Sequence, residues 1–264
     1  MNTALKFRHT LARAARARRV RGFSLVEVSV VLVVAGLVSW AAFSAFDTVS
    51  EQQEREGAMS LARQMQGSLR AFAMRHGRLP CPDSGATATG YESLTGGSCT
   101  AGNQVGWFPY VALDMEVPQE SLRARYAVFR AASGTPASDA DLAVALERTG
   151  DTAGEATHLD VTDLIVALGN AAALALSTSR AHLTGDAGAS GVIDCATNAV
   201  MPVAYWLVLP LDDRSGDGLR LDAPHTAAGT CAASPNAPIR STSDDVVLAE
   251  SPVQLAGWLR RSMP

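Results

Sequence analysis

The chain has 264 residues, with 26 acids against 22 Lys and Arg, a formal net charge of −4 and 47% hydrophobic residues. That length is enough for a domain that buries its own core. The acidic balance disfavours nonspecific attraction to nucleic-acid backbones, so no nucleic-acid partner is expected.

The charge is unevenly placed. Residues 1–22 hold Lys6, Arg8, Arg13, Arg16, Arg18, Arg19 and Arg21 and no acid. Without them, 15 Arg and no Lys remain against 26 acids, a formal charge of about −11. From Phe23 to Phe46 the chain is almost wholly apolar, and Glu27 is its only ionisable side chain. As a helix these residues reach about 36 Å, enough to cross a hydrocarbon core of about 30 Å. The positive segment before the span places the N-terminus in the cytoplasm and the remainder outside. A carboxylate at that depth costs a few kcal/mol in hydrocarbon, so Glu27 is a functional-site candidate that needs a partner. A cleaved secretory signal with a weak site at Ser39-Trp40-Ala41 is the first alternative. The acid inside the run and the length of the run argue against it. An uncleaved anchor is the second.

The segment Gly22-Phe23-Ser24-Leu25-Val26-Glu27 resembles the N-terminus of the type IV prepilin family, which includes the pseudopilins of type II secretion. The resemblance implies cleavage after Gly22 by a prepilin peptidase of the inner membrane, with methylation of the new N-terminal Phe23. It also implies that Glu27 faces the amino group of a neighbouring pilin or pseudopilin. An ammonium beside the acid neutralises both charges where the dielectric is low, and only one stagger of the two stems lets them meet. Gly36 matches a glycine common in such segments. The proline found further along in many major pilins is absent, with Ser44 near that place.

Beyond the span the helix is expected to continue to His76. Val49, Ala58, Leu61, Ala62, Met65, Leu69, Phe72 and Ala73 recur at helical spacing, and Glu51, Glu54, Arg55, Glu56, Arg63 and Arg70 take the other faces. Gly77 reads as the C-cap, and Pro80 and Pro82 forbid continuation. Phe23 to His76 is then one helix of about 80 Å. The organisation is a basic leader over 1–22, an apolar half-helix over 23–46, an amphipathic half over 47–77 and a head over 78–264. Together these predict an α+β, pilin-like chain whose long helix packs on a globular head with a small antiparallel sheet and extra helices.

The head opens with Arg78-Leu79-Pro80-Cys81-Pro82-Asp83 and continues to Gly106-Trp107-Phe108-Pro109-Tyr110. Both segments resemble those of a subset of prepilin-like proteins. Ser84 to Asn103, rich in Gly, Ser and Thr, reads as a disulfide-closed loop. Strands are expected over Tyr126 to Arg130, Val200 to Leu211 (with Pro202 near its start) and Val246 to Leu248. Helices are expected over Asp139 to Arg148, over His158 to Leu176 with a cap near Thr162 or Asp160, and from Ser251-Pro252 through Trp258. Trp107, Trp206 and Trp258 read as packing residues.

Cys81, Cys99, Cys195 and Cys231 all follow the span and read as two disulfides in an oxidising periplasm. Three connectivities are open, and the sequence-local one, Cys81–Cys99 with Cys195–Cys231, is preferred. The spacings lack C-x-x-C or a nearby His pair, which disfavours zinc. Asp213, Ser215 and Asp217 before Gly218 follow the first half of a calcium loop. The second half fails, since Pro224 stands where the closing Glu belongs and Asp222 is out of phase. A solvated turn is the plainer reading. His76, His158, His182 and His225 are isolated, and no G-x-S-x-G, H-E-x-x-H or phosphate loop occurs. The expectation is a protein without catalytic residues or a cofactor. It is a minor pilin or minor pseudopilin, held in the inner membrane before it enters a filament. The alternatives are an adhesive or ligand-binding module exported by the pilin route, or a membrane-anchored periplasmic protein outside any filament.

Overall fold

The computed structural model describes residues 24–150, 159–185, 193–226, 229–237 and 239–263, without the side chains of 44–48. Gly22, Phe23 and His158 lie outside the described residues. The chain divides into two compact units, Met1–Ser50 and Glu51–Pro264.

Helix α1, Leu25–His76, runs for 52 residues through both units. In the first unit its stretch Leu25–Phe43 is long and apolar enough to cross a membrane, and none of it is buried by other parts of the chain. In the second unit Ala62, Met65, Leu69, Phe72 and Ala73 are buried in the head core. Burying a side chain the size of Met65, Leu69 or Phe72 stabilises by about 1.5–3 kcal/mol. Val49 and Leu61, assigned to the same stripe from their spacing, stay exposed. The helix stops at Gly77, whose φ of +59° is the left-handed conformation of a helix C-terminus. A Cβ there would also lie 2.5 Å from the Asp160 carbonyl oxygen, so glycine is required twice over.

The head is an α+β structure. Strands β1 (Leu94–Thr95) and β2 (Ser98–Cys99) form a hairpin inside the cysteine-closed loop. A four-stranded antiparallel sheet joins β3 (Val105–Trp107) and β4 (Arg125–Val128) to two later strands. Helix α2, Val161–Ala173, begins at Asp160, which caps it reciprocally with Asp163. A three-stranded sheet centres on β5, His182–Thr184, with β6, Ala199–Pro202, antiparallel on one side. Strands β7 (Tyr205–Leu209), β8 (Cys231–Ala232) and β9 (Val246–Glu250) complete the sheets, and α3 (Pro252–Ser262) closes the chain. The sheet orders are β3-β4-β7-β9 and β6-β5-β8. The pairing of β5 with β8 is parallel, so the smaller sheet is mixed rather than antiparallel.

Two expectations are corrected. The strand expected over Val200 to Leu211 is two strands in two sheets, divided at Val203 and Ala204. All five residues of β7 are buried. The helix expected over Asp139 to Arg148 is absent, and only a 3-10 turn at Pro136–Ser138 precedes that stretch. Asp139 accepts from the Ser133 and Asp141 amides, and Asp141 accepts from the Ala143 amide. Aspartates that bond nearby amides in this way offer the backbone an alternative to the helix. At the other end, Ser251 with Gln254 caps α3, and Pro252 holds its first turn.

Candidate functional site

The N-terminus of α1 is built by two side chains. Ser24 is the N-cap: its Oγ accepts from the Val26 amide at 3.2 Å, and its carbonyl accepts the first helical bond, from Val28, at 3.1 Å. Glu27 reaches back so that its Oε2 accepts from the Ser24 amide at 3.3 Å. Ser followed three residues later by Glu is the capping-box pattern, which satisfies amides the helix cannot. Glu27 is thus exposed yet turned toward its own helix start. Spacing could have revealed this bond in advance, but the sequence reading gave Glu27 only an intermolecular partner. Behind it, Trp40 and Phe43 are 74% and 71% exposed along an otherwise apolar stem. A continuous apolar surface of this kind needs lipid or neighbouring stems to cover it.

In the head, α1 is fixed by an ion pair. Arg70 Nη2 lies 2.6 Å from Glu250 Oε1, and Glu250 is 2% exposed. Gln66 and the Tyr205 hydroxyl also donate to Glu250. Burial first, and then the carboxylate beside it, hold the Tyr205 phenol protonated well above its ordinary range. Arg70 also lies over Trp258 of α3, 5.0 Å from the ring centroid. Arg70, off the apolar stripe of α1, is thus drawn into a tertiary pair.

Each part of the Arg78–Asp83 turn holds a different piece of the head. Arg78 forks onto Glu92, and Glu92 accepts the Cys81 amide at 2.6 Å. The Leu79 amide donates to Leu142, and the Pro80 carbonyl accepts from Tyr126 Oη. Asp83 is buried and accepts from the amides of Gly85, Thr89 and Gly90 and from the Thr89 hydroxyl. Its backbone pairs with Trp107 of β3. A Cβ on Gly106 would lie 2.4 Å from the Asp83 carbonyl oxygen, so the two motifs meet only through a glycine. The cysteines are joined as Cys81–Cys99 and Cys195–Cys231.

Asp213, Ser215 and Asp217 do come together, as a turn. Asp213 accepts from the amides of Gly216, Asp217 and Gly218 and from the Ser215 hydroxyl. Those donors, led by the Gly218 amide, hold its carboxyl below the usual range. Asp217 accepts from the Leu219 amide. The Asp213 oxygens therefore accept from amide hydrogens of their own turn.

Asp222, set aside as out of phase, is buried beside Asp244 and Asp245, with one oxygen of each within 4.8 Å of the others. Asp222 accepts from the amides of Arg214, Ser215 and Asp244. Asp244 accepts from the Asp212 amide and Arg214 Nε. Asp245 Oδ2 accepts from the Asp222 amide and lies 2.7 Å from His225 Nδ1. Of the six carboxylate oxygens in this cluster, Asp245 Oδ1 is the one without a partner among the described residues. Burial raises Asp245 to about 6, with His225 opposing the rise. Burial also raises Asp222. The cluster is a set of loop-fixing acceptors that knots the 212–222 loop to the start of β9. It lies on segments far apart in sequence, so spacing could not find it.

Residues 17–43 match the family described as "Prokaryotic N-terminal methylation motif". No curated protein matches the chain, and no solved structure matches it.

Proposed function

We propose that the chain is a minor subunit of a type IV filament, either a pilus or the pseudopilus of type II secretion. The N-terminal methylation motif marks a prepilin-like precursor. In this reading the inner-membrane peptidase removes residues 1–22 and methylates Phe23, and the apolar stem holds the head outside the cytoplasm until neighbouring pilins or pseudopilins replace the lipid. Glu27 then exchanges the amide of Ser24 for the ammonium of an adjoining subunit. The two disulfides suit an oxidising exterior, and a head over residues 78–264 is large for a subunit that repeats along a shaft.

One observation carries the proposal. The matched segment contains the exposed apolar helical stretch Leu25–Phe43, whose single acid, Glu27, sits in the first turn of α1. Intact mass and N-terminal sequencing of the membrane-extracted protein test it. An N-methylated start at Phe23 is expected. An intact leader, or a start near Ala42, would overturn it.

A further inference from the structure

A cleft of about 390 Å³ opens on the head between the end of β3, the turn before β4 and the loop after Asp217. Trp107, Glu120, Arg123, Arg125, Leu219 and Arg220 give it its character: three guanidiniums, one carboxylate and an apolar wall. Five arginines elsewhere in the head sit against buried or half-buried acids. Arg70 pairs with Glu250, Arg78 with Glu92, Arg130 with Asp141, Arg148 with Asp139 and Arg214 with Asp244. Among the described residues, no carboxylate lies within ion-pair distance of Arg123, Arg125 or Arg220.

Their donors are held by neutral carbonyls instead. Arg123 Nε donates to Pro118, Arg125 Nη2 to Thr226 and Arg220 Nη1 to Leu211. Carbonyls orient a guanidinium without neutralising it, and the remaining N–H groups stay available. Arg125 lies over Trp107, with Cζ 3.9 Å from the ring centroid. Its Nε is buried and has no partner among the described residues. Burial alone pulls its pKa below the ordinary value, as expected for a cation stripped of water without a counter-charge. Keeping such a group costs stability, so a ligand that completes it gains affinity.

We propose that the cleft binds an acidic polypeptide segment of a partner protein, with a carboxylate on the Arg123, Arg125 and Arg220 guanidiniums. An apolar neighbour of that acid lies on the Trp107 and Leu219 wall. Guanidinium forks match a planar carboxylate. A nucleic acid is disfavoured because the rest of the chain is acidic and repels a dense polyanion. One face of Trp107 is also taken by Arg125, which leaves less of the ring for a stacked base. The site stands on the head alone and goes beyond the filament reading, so failure of one leaves the other intact.

The test uses the full chain in detergent micelles and a fluorescent peptide alternating Glu and Leu, followed by anisotropy. Binding that weakens as salt rises is expected, together with loss of binding when Gln replaces every Glu in the peptide. Arg123→Gln and Arg220→Gln should each weaken binding about tenfold with unchanged thermal unfolding. Arg220 is exposed and decides the matter if the Arg123 variant unfolds. Propionate at high concentration should compete. The proposal is overturned by absent binding, by equal binding of the Gln peptide, or by variants that bind like the parent.

Discussion

Glu27 has two suitors for one carboxylate, and a single substitution separates them. Within the chain it accepts the Ser24 amide and helps cap α1. In the proposed filament it meets a neighbouring ammonium, which gives its charge a counterpart in a low-dielectric stem. Gln serves a capping box as Glu does, yet it cannot balance a positive charge. Glu27→Gln should therefore leave helix content and membrane insertion unchanged, while incorporation into filaments falls by about tenfold or more. Helicity from circular dichroism and the amount recovered in sheared filaments make the comparison. Parental incorporation would remove the register role from this residue.

For the elements, the pairing of α1 with β9 matters most, because it fixes the long helix in the head. Arg70→Ala would leave Glu250 buried and uncompensated beside the Tyr205 hydroxyl. Removing one partner of a buried pair typically costs about 3–5 kcal/mol. Arg70 keeps some exposure, so the lower end, about 3 kcal/mol, is expected in urea unfolding of the full chain in detergent. Much of this architecture could be read from the chain. The stripe from Ala62 to Ala73, the stop at Gly77 and the Ser251-Pro252 start are local signals, and each marks a real element. The Asp139 to Arg148 stretch could not be read this way. Its Asp139, Asp141 and Arg148 look like helix-surface charges but are spent on ion pairs, Arg148 with Asp139 and Arg130 with Asp141, and on amides nearby in the chain. The acid cluster and the arginine cleft were hidden for the same reason. Their members come from segments brought together only by the sheets, and no spacing rule links Arg125 to Arg220 or Asp222 to Asp245.

For the molecule as a whole, the buried acids give stability a pH signature. Asp245 is raised to about 6 by burial, whereas an unfolded chain releases that proton near the ordinary value of 3.8. Between those values the folded state binds more protons than the unfolded one. The contribution is therefore fully present below about pH 4 and is lost as pH rises to about 6. The groups facing Asp245 are His225, Asp222 and Asp244, with Arg214 on the Asp244 carboxylate and Arg55 of α1 on the Asp244 carbonyl. Asp245→Asn removes the titrating group and keeps an acceptor. Relative to the parent, it should flatten the loss between pH 4 and 6 by on the order of 2 kcal/mol, followed as the melting temperature across that range. A parallel pH profile in the variant would assign the dependence to other groups. The seam between Asp83 and Trp107 bears on the molecule differently. Both backbone groups of Trp107 on that side are taken, its amide at 2.8 Å and its carbonyl at 3.0 Å. At Trp107 this rim of the larger sheet is therefore closed to a foreign strand. A subunit crowded among its own kind, as proposed, would be shielded there from amyloid-like stacking, leaving the stem to govern how copies adhere.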